Sequence, residues 1–544
     1  MTGWSLWTER HCNDRLFFKM FKKILLSALM ILCVAAVSAQ QKKIYFEADL
    51  LEYDEDLRDG AEQYTGHVVF RHGNTVGYCD TALHFRDRNQ LHAFGHRVRI
   101  IVNDSVTLYG NFLIYDGNAR TVSISRNVIL KDKKAALYTD SLIYDLNDDL
   151  GYYLTGGRMV SDSNTLTSRV GYYNTQTNRA DLYDAVHLVN ETYTGDTRSA
   201  SYNTSSEIIY FTSRTHLYSE ENDFYTDEGW YDTKGKQLLL DGHAELHNES
   251  QSLYGDSLFY DDNVSFGQGW NNVCLVDTAK NFVVQGNYME YHDKDYALVT
   301  DSMLLILIDN GDSLYLHSDT LHVLFDTAQS PRSFFAYNRV KFYRDDMQGA
   351  CDSMVYHTKD STITMYFNPV VWSDANQLTA DTIRFNILDS VNMSMELCRS
   401  AFIVSSVYED ETEFNQIKGL NIVGSISDKQ LTRVDVIGNA ESLYYILEED
   451  SSLVGINSAA TSEMRILFED NEIQSIIFYN EPDGKLYPDA ELHPKDRQLK
   501  DFRWLNVYRP ATRHDIFTMP VERVATQPAT GNGISEPNEK TETP

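Results

Sequence analysis

Apolar and polar positions along this chain recur in one phrase. A polar residue, usually Asp, is followed by an apolar residue two places on and an aromatic residue four places on. Asp49 (Leu51, Tyr53), Asn111 (Leu113, Tyr115), Asp140 (Leu142, Tyr144), Asp256 (Leu258, Tyr260), Asp352 (Met354, Tyr356) and Asp381 (Ile383, Phe385) carry it plainly. Degenerate copies start at Asp80, Arg169, Arg198, Asp227, Asn287 and Asp319. The gaps between these twelve anchors are 31, 31, 29, 29, 29, 29, 29, 31, 32, 33 and 29 residues, the regularity of stacked structural repeats. Side chains alternate along a strand, so positions +2 and +4 share one face and predict a stripe that stacks from unit to unit. A polar turn follows, as at Asp145-Leu146-Asn147-Asp148-Asp149, then a second strand. That strand leads to a Gly/Asn-x-Val type of start: Gly66-His67-Val68, Arg126-Asn127-Val128, Gly242-His243-Ala244, Asn271-Asn272-Val273, Asn338-Arg339-Val340. The spacing predicts a unit of three short strands and two turns, repeated about twelve times over residues 40–403.

One such unit cannot stand alone. A buried Leu or Tyr contributes on the order of 1.5–3 kcal/mol, whereas ordering a residue costs roughly 1–2 kcal/mol of backbone entropy. Neighbouring units must cover one another, which favours an elongated roll over a string of separate domains. Beyond residue 403 the phrase loosens, and residues 404–510 read as divergent terminal β rungs and a cap, with Lys485 to Pro510 folding over the end. Residues 511–544 read as a disordered polar tail.

Composition agrees with strands: 35 Tyr and only 10 Pro in 544 residues. The N-terminus reads as an export signal over residues 1–39. Lys22 and Lys23 precede an apolar run from Ile24 to Val37 and a small-x-small site ending at Ala39, with Met20 as an alternative start. Cleavage there leaves 42 Lys+Arg against 77 Asp+Glu, a net charge of −35. Such a balance excludes a nucleic-acid partner. The mature cysteines Cys79, Cys274, Cys351 and Cys398 lack metal-type spacing and read as small strand residues, a Cys351–Cys398 bridge being the alternative.

Candidate chemistry is sparse. The ladder of anchor Asp residues invites a calcium reading, since hard cations want clustered carboxylates, but Asp and Asn also cap turns through their amides, which is the favoured reading. His72, His84, His92 and His96 fall in one stretch without ligand spacing and read as solvated surface. No Gly-x-Ser-x-Gly, His-Glu-x-x-His or phosphate-binding loop occurs, so neither an enzyme, a metal nor a cofactor is expected.

The stretch from Tyr64 through Gly66-His67-Val68 to Gly77 and Asp80 resembles the repeat of the OstA-like, LptA-type lipopolysaccharide transport proteins of Gram-negative bacteria. Leu239 to Tyr260 and Asn338 to Asp352 repeat the resemblance, which spans roughly residues 43–403. It implies an all-β fold, a twisted β-jellyroll of stacked short strands with an apolar groove. It also implies a role in outer-membrane biogenesis: a periplasmic protein, with outer-membrane association as a further option, holding lipopolysaccharide acyl chains (lipid A) for transport. Partners implied are lipopolysaccharide and the inner- and outer-membrane transport components, docked through edge strands, with end-to-end self-association as a further option.

The residues suit such a ligand, because each buried methylene is worth about 0.8 kcal/mol and no catalytic group is needed. The groove candidates are Leu113, Tyr115, Leu142, Tyr144, Leu258, Tyr260, Met354, Tyr356, Ile383 and Phe385. The competing expectation for each is a filled core. The alternative fold is a parallel β-helix, and the alternative functions are a polysaccharide-active enzyme or a cell-surface adhesin or scaffold.

Overall fold

The computed structural model describes residues 43–518, apart from 55–57, 309–311, 329, 390, 429, 449–451, 470–471 and 489–490. The expected export signal and residues 519–544 lie outside the described residues. The chain divides into two compact units. The first runs to Ser219 and takes in Trp230–Lys234; the second holds Glu220–Gly229 and the chain from Gly235 on.

Each unit is an antiparallel meander of long strands. In the first they include Glu62–His72, Thr75–Phe85, Gln90–Val102, Val106–Asp116, Thr121–Lys131 and Ala136–Asp145. Every described ladder between them is antiparallel, so the parallel β-helix alternative does not hold. Each strand is bent once near its middle. Glu62–Thr65 pairs with Thr81–His84, the register then slips, and Val68–His72 pairs with Thr75–Cys79. Burial follows the slip. In Val106–Asp116 the buried positions are Val106, Leu108 and Gly110, then Leu113 and Tyr115. The step of three at the bend keeps both halves of the strand facing one interior.

The bend explains the repeated sequence phrase. Its Gly/Asn-x-Val element is the bend itself: Gly66 and His67, Arg126 and Asn127, Gly242 and His243, Asn271 and Asn272, and Asn338 and Arg339 all have positive φ. Gly and Asn tolerate that region best. The anchor lies on the neighbouring strand and bonds to the bend. Asp49 accepts from His67 at 2.7 Å, Asp227 from His243 at 2.8 Å, Asp256 from Asn272 at 3.1 Å and Asp319 from Arg339 at 2.9 Å. Anchors therefore lie within a strand, as Asp256 and Asp319 do, or at the break between its two halves, as Asp49 and Asp227 do. The repeating unit is a hairpin of two bent strands rather than three short ones.

Strands thus run between two rows of turns. In the first unit, row one follows His72, Val102, Lys131, Ser161 and Val189, and row two follows Phe85, Asp116, Asp145, Asn174 and Asn203. In the second, row one follows His247, Asp277, Leu307, Arg344 and Ser373, and row two follows Asp261, His292, Phe325 and His357.

Residues 404–488 continue the meander as Phe414–Ser427, Gln430–Leu447 and Leu453–Glu469. The following segment does not fold over the end, as the sequence suggested. It straps the outer side of the row-one half-sheet, because that side is apolar there. Leu492 joins Leu443, Tyr445 and Ile456; Phe502 and Trp504 cover Phe402, Val404 and Phe414; Leu505 and Tyr508 cover Ala350, Val370 and Trp372. Gln416 donates to the Arg497 carbonyl at 2.8 Å, Gln377 to that of Arg503 at 2.8 Å, and Arg509 donates to Gln348 at 2.7 Å. The strap includes residues expected in the tail, for Asp515–Thr518 is a helical turn with Ile516 buried and Phe517 against His317.

Two smaller expectations also change. His84 is buried and bonds Glu62 at 3.1 Å rather than meeting solvent, and His72 bonds the Tyr115 hydroxyl. Leu51 and Tyr53 are exposed rather than stacked inside. The four described cysteines, Cys79, Cys274, Cys351 and Cys398, are free, so the alternative Cys351–Cys398 bridge is absent.

Candidate functional site

The interiors of the two units differ. In the first, the aromatic of the repeated phrase fills the roll: Tyr115, Tyr144, Tyr173 and Tyr202 are at most 1% exposed. Glycines make room for rings. A Cβ on Gly77 would sit 1.9 Å from Phe70, and one on Gly171 would sit 2.4 Å from Tyr153. The hydroxyls then clasp the two turn rows together. Tyr173, beside row two, donates to Asp132 in row one, and Tyr115 reaches His72 in the same way. Tyr202 accepts from Asn164 at 3.3 Å, and Asn164 also donates to Thr233 at 2.9 Å. Residues at opposite ends of the strands touch, so this roll is shut. Burial pushes the Tyr115 hydroxyl up to about 12, keeping it a neutral donor. Leu113, Tyr115, Leu142 and Tyr144 are therefore core, not groove wall.

The second unit is more open between Gln251 and Phe334. Four inward positions are glycine; Gly255, Gly269 and Gly286 are packed over by Leu258, Val273 and Val299, whereas Gly267 is not. At Gly267 a Cβ would meet nothing nearer than 3.8 Å. Around this space the inward side chains Leu253, Tyr260, Leu275, Phe282, Met289 and Leu305 are only half-buried. Leu314, Phe325, Phe334, Met347 and Met354 likewise pack against the buried cluster of this unit while keeping exposed surface. Tyr291 is 41% exposed and donates to Asp293 of its own turn row at 3.2 Å. Burial, then the Asp293 carboxylate, pushes that hydroxyl up to about 12.

The predicted site residues thus separate. Tyr260, Met354 and Tyr356 are half-buried, whereas Leu258, Ile383 and Phe385 are buried core. Gly267, Phe282, Met289, Leu305 and Leu314 escaped sequence reasoning. No local signal marked them, because inward glycines such as Gly77, Gly110 and Gly171 also occur in the clasped unit, where neighbouring side chains fill the space. Among the described residues no group of three His, Cys, Asp or Glu side chains is arranged to hold a metal. An open depression lined by Asp184, His187, Asp196, Arg198 and Arg214 lies at the bends of the first unit, away from either interior.

Residues 40–198 match the family model described as OstA-like protein, and residues 310–390 match the one described as LptA/(LptD N-terminal domain) LPS transport protein. Residues 40–198 are thus OstA-like in sequence. The OstA-like segment at 40–198 falls in the clasped unit, and the second match falls in the other unit, over Met354, Tyr356, Ile383 and Phe385. Among solved structures, one similar chain is LptH, described as the LptA homologous periplasmic component of the conserved lipopolysaccharide transport device from Pseudomonas aeruginosa. It is 19% identical, with 20% of this chain and 78% of that chain covered and a TM-score of 0.18. No curated protein matches the chain at a significant level.

Proposed function

We propose that this OstA-like protein carries lipopolysaccharide in the periplasm toward the outer membrane, holding its acyl chains in the open interior of the second unit. The observation that carries the reading is the half-exposed apolar lining around the open space at Gly267. Apolar surface left open to water at inward positions is costly unless something covers it. With a net charge of −32 the protein repels the anionic head group, which stays in solvent. The reading is of a carrier, not an enzyme. Partner components of the transport machinery dock through the edges. Tyr45–Glu47 and Leu50–Tyr53 pair on one side with Glu62–His72, and they present exposed Tyr45, Leu51 and Tyr53 beside an edge that no other described strand pairs, the edge proposed for strand addition.

Photo-crosslinking tests the carrier reading. A photoreactive residue at Tyr260, Met354 or Tyr356 forms adducts with lipopolysaccharide, whereas one at buried Tyr115 or Tyr144, or at outward Ser141 or Ser257, does not. Absence of adducts at all three lining positions overturns it.

A further inference from the structure

The outer side of the row-two half-sheet in the second unit carries a second surface, independent of the lipid reading. The corresponding face of the first unit carries two short ring runs, one of Phe85, His92, Phe112 and Phe94 and one of Tyr152, Tyr172 and Tyr183. They are separated by strands whose outward positions are Thr121, Ser123, Ser125 and Ser141. In the second unit a longer row of rings crosses successive strands. Phe266 lies 4.4 Å from His292, His292 lies 4.7 Å from Tyr296, and Tyr296 lies 5.4 Å from His322. His322 continues to Phe335 at 6.2 Å, and Phe335 lies 6.0 Å from Tyr337 with planes only 7° apart. Trp270 and Tyr288 flank this row, 6.4 Å apart. All these rings are partly exposed, on the side of the sheet opposite Gly269 and Met289.

A polar network is set among the rings. Tyr288 donates to Glu290 at 2.5 Å, Tyr296 bonds the other carboxylate oxygen, and Gln268 donates to the Tyr288 hydroxyl at 2.8 Å. His292 stands 3.7 Å from the same carboxylate. The bonds from Tyr288 and Tyr296 hold the Glu290 carboxyl below the usual carboxylate range, so it stays charged.

We propose that this face is a platform for a neutral oligosaccharide, with Phe266, Trp270, Tyr296 and Phe335 stacking on sugar rings and Glu290 and Gln268 bonding their hydroxyls. A pyranose offers an apolar C–H face with a rim of hydroxyls, which matches flat rings interleaved with acceptors and donors. Tyr and Trp supply large rigid contact area at low entropic cost. The charged Glu290 disfavours acidic sugars and nucleic acid through like-charge repulsion. A wholly apolar protein partner would strip the remaining water from that carboxylate and leave it only the bonds from Tyr288 and Tyr296.

The experiment is affinity measurement on the full chain by saturation-transfer NMR and calorimetry. The probes are maltohexaose, cellohexaose and chitohexaose, with polygalacturonate and a polyproline peptide as contrasts. At least one neutral hexasaccharide binds, polygalacturonate does not, and Trp270→Ala or Tyr296→Ala weakens binding by about tenfold or more, the loss expected of a central aromatic contact. Trp270→Phe retains binding, which separates lost stacking from lost fold. Lipid adducts at Tyr260 are unchanged by Trp270→Ala, so the two sites fail or stand separately. Binding of the polyproline peptide alone, no binding of any hexasaccharide, or wild-type affinity in Trp270→Ala overturns the proposal.

Discussion

Gly267→Leu is the substitution that separates an open interior from a packed one. The glycine lies inward, its φ is not in the left-handed region, and a Cβ there meets only Phe259 and Tyr260 atoms at 3.8 Å. The leucine side chain therefore enters free space without strain. Its four carbons occupy room that an acyl chain would fill with about four methylenes. At about 0.8 kcal/mol each, the loss is roughly 3 kcal/mol, or about 200-fold in affinity. Gly171→Ala is the counterpart in the clasped unit. Its Cβ would stand 2.4 Å from the Tyr153 ring and hydroxyl, both enclosed, so it overpacks a filled core. The expected cost is about 1–3 kcal/mol of stability with no loss of lipid affinity in the protein that remains folded. Displacement of cis-parinaric acid reads affinity, and urea denaturation reads stability. If Gly267→Leu bound the probe like the wild type, or lost stability as Gly171→Ala does, the interior of the second unit would be packed and the reasoning refuted.

The strap gives a second expectation. Gln377 is 1% exposed, and its amide both donates to the Arg503 carbonyl at 2.8 Å and accepts from the Leu505 amide at 2.6 Å. Gln377→Ala takes the side-chain partner from two part-buried backbone groups, at a cost of up to about 1–3 kcal/mol each. Trypsin then cuts after Arg503 faster than in the wild type, and an unchanged cleavage rate would count against the clamp. A third concerns acid. At the first-unit N-terminus, burial would raise the Glu62 carboxyl, but bonds from His84, Tyr64 and Arg86 hold it below its ordinary 4.5, while burial lowers His84 below 6.5. Both folded values are depressed. The stability they contribute is therefore full above about 6.5, falls as the unfolded histidine takes up protons below that pH, and falls again below about 4.5 as carboxylates protonate. Hydrogen exchange along Glu62–His72 should speed up in that order, and His84→Gln should abolish the upper step. Acid-insensitive exchange would sink this assignment.

The sequence by itself determined the repeat and its contents. Alternation is local, so the phrase from Asp140 to Tyr144 told which side chains point inward, and the regular spacing told that units stack. Gly66-His67-Val68 and its copies marked a recurrent backbone feature, because positive φ leaves its trace in residue choice. What those marks meant was decided by tertiary structure: a bend that carries one strand through two half-sheets. The same holds for the site. Tyr115 and Tyr260 occupy the same place in the phrase, yet one is sealed beneath His72 and the other half-buried above Gly267. The difference arises from partners about forty residues away and from the bulk of side chains across the interior. The strap followed the same rule. Nothing local in Leu499 to Tyr508 states that Gln348, Gln377 and Gln416 will line up to receive it, because that row exists only after the strands have paired.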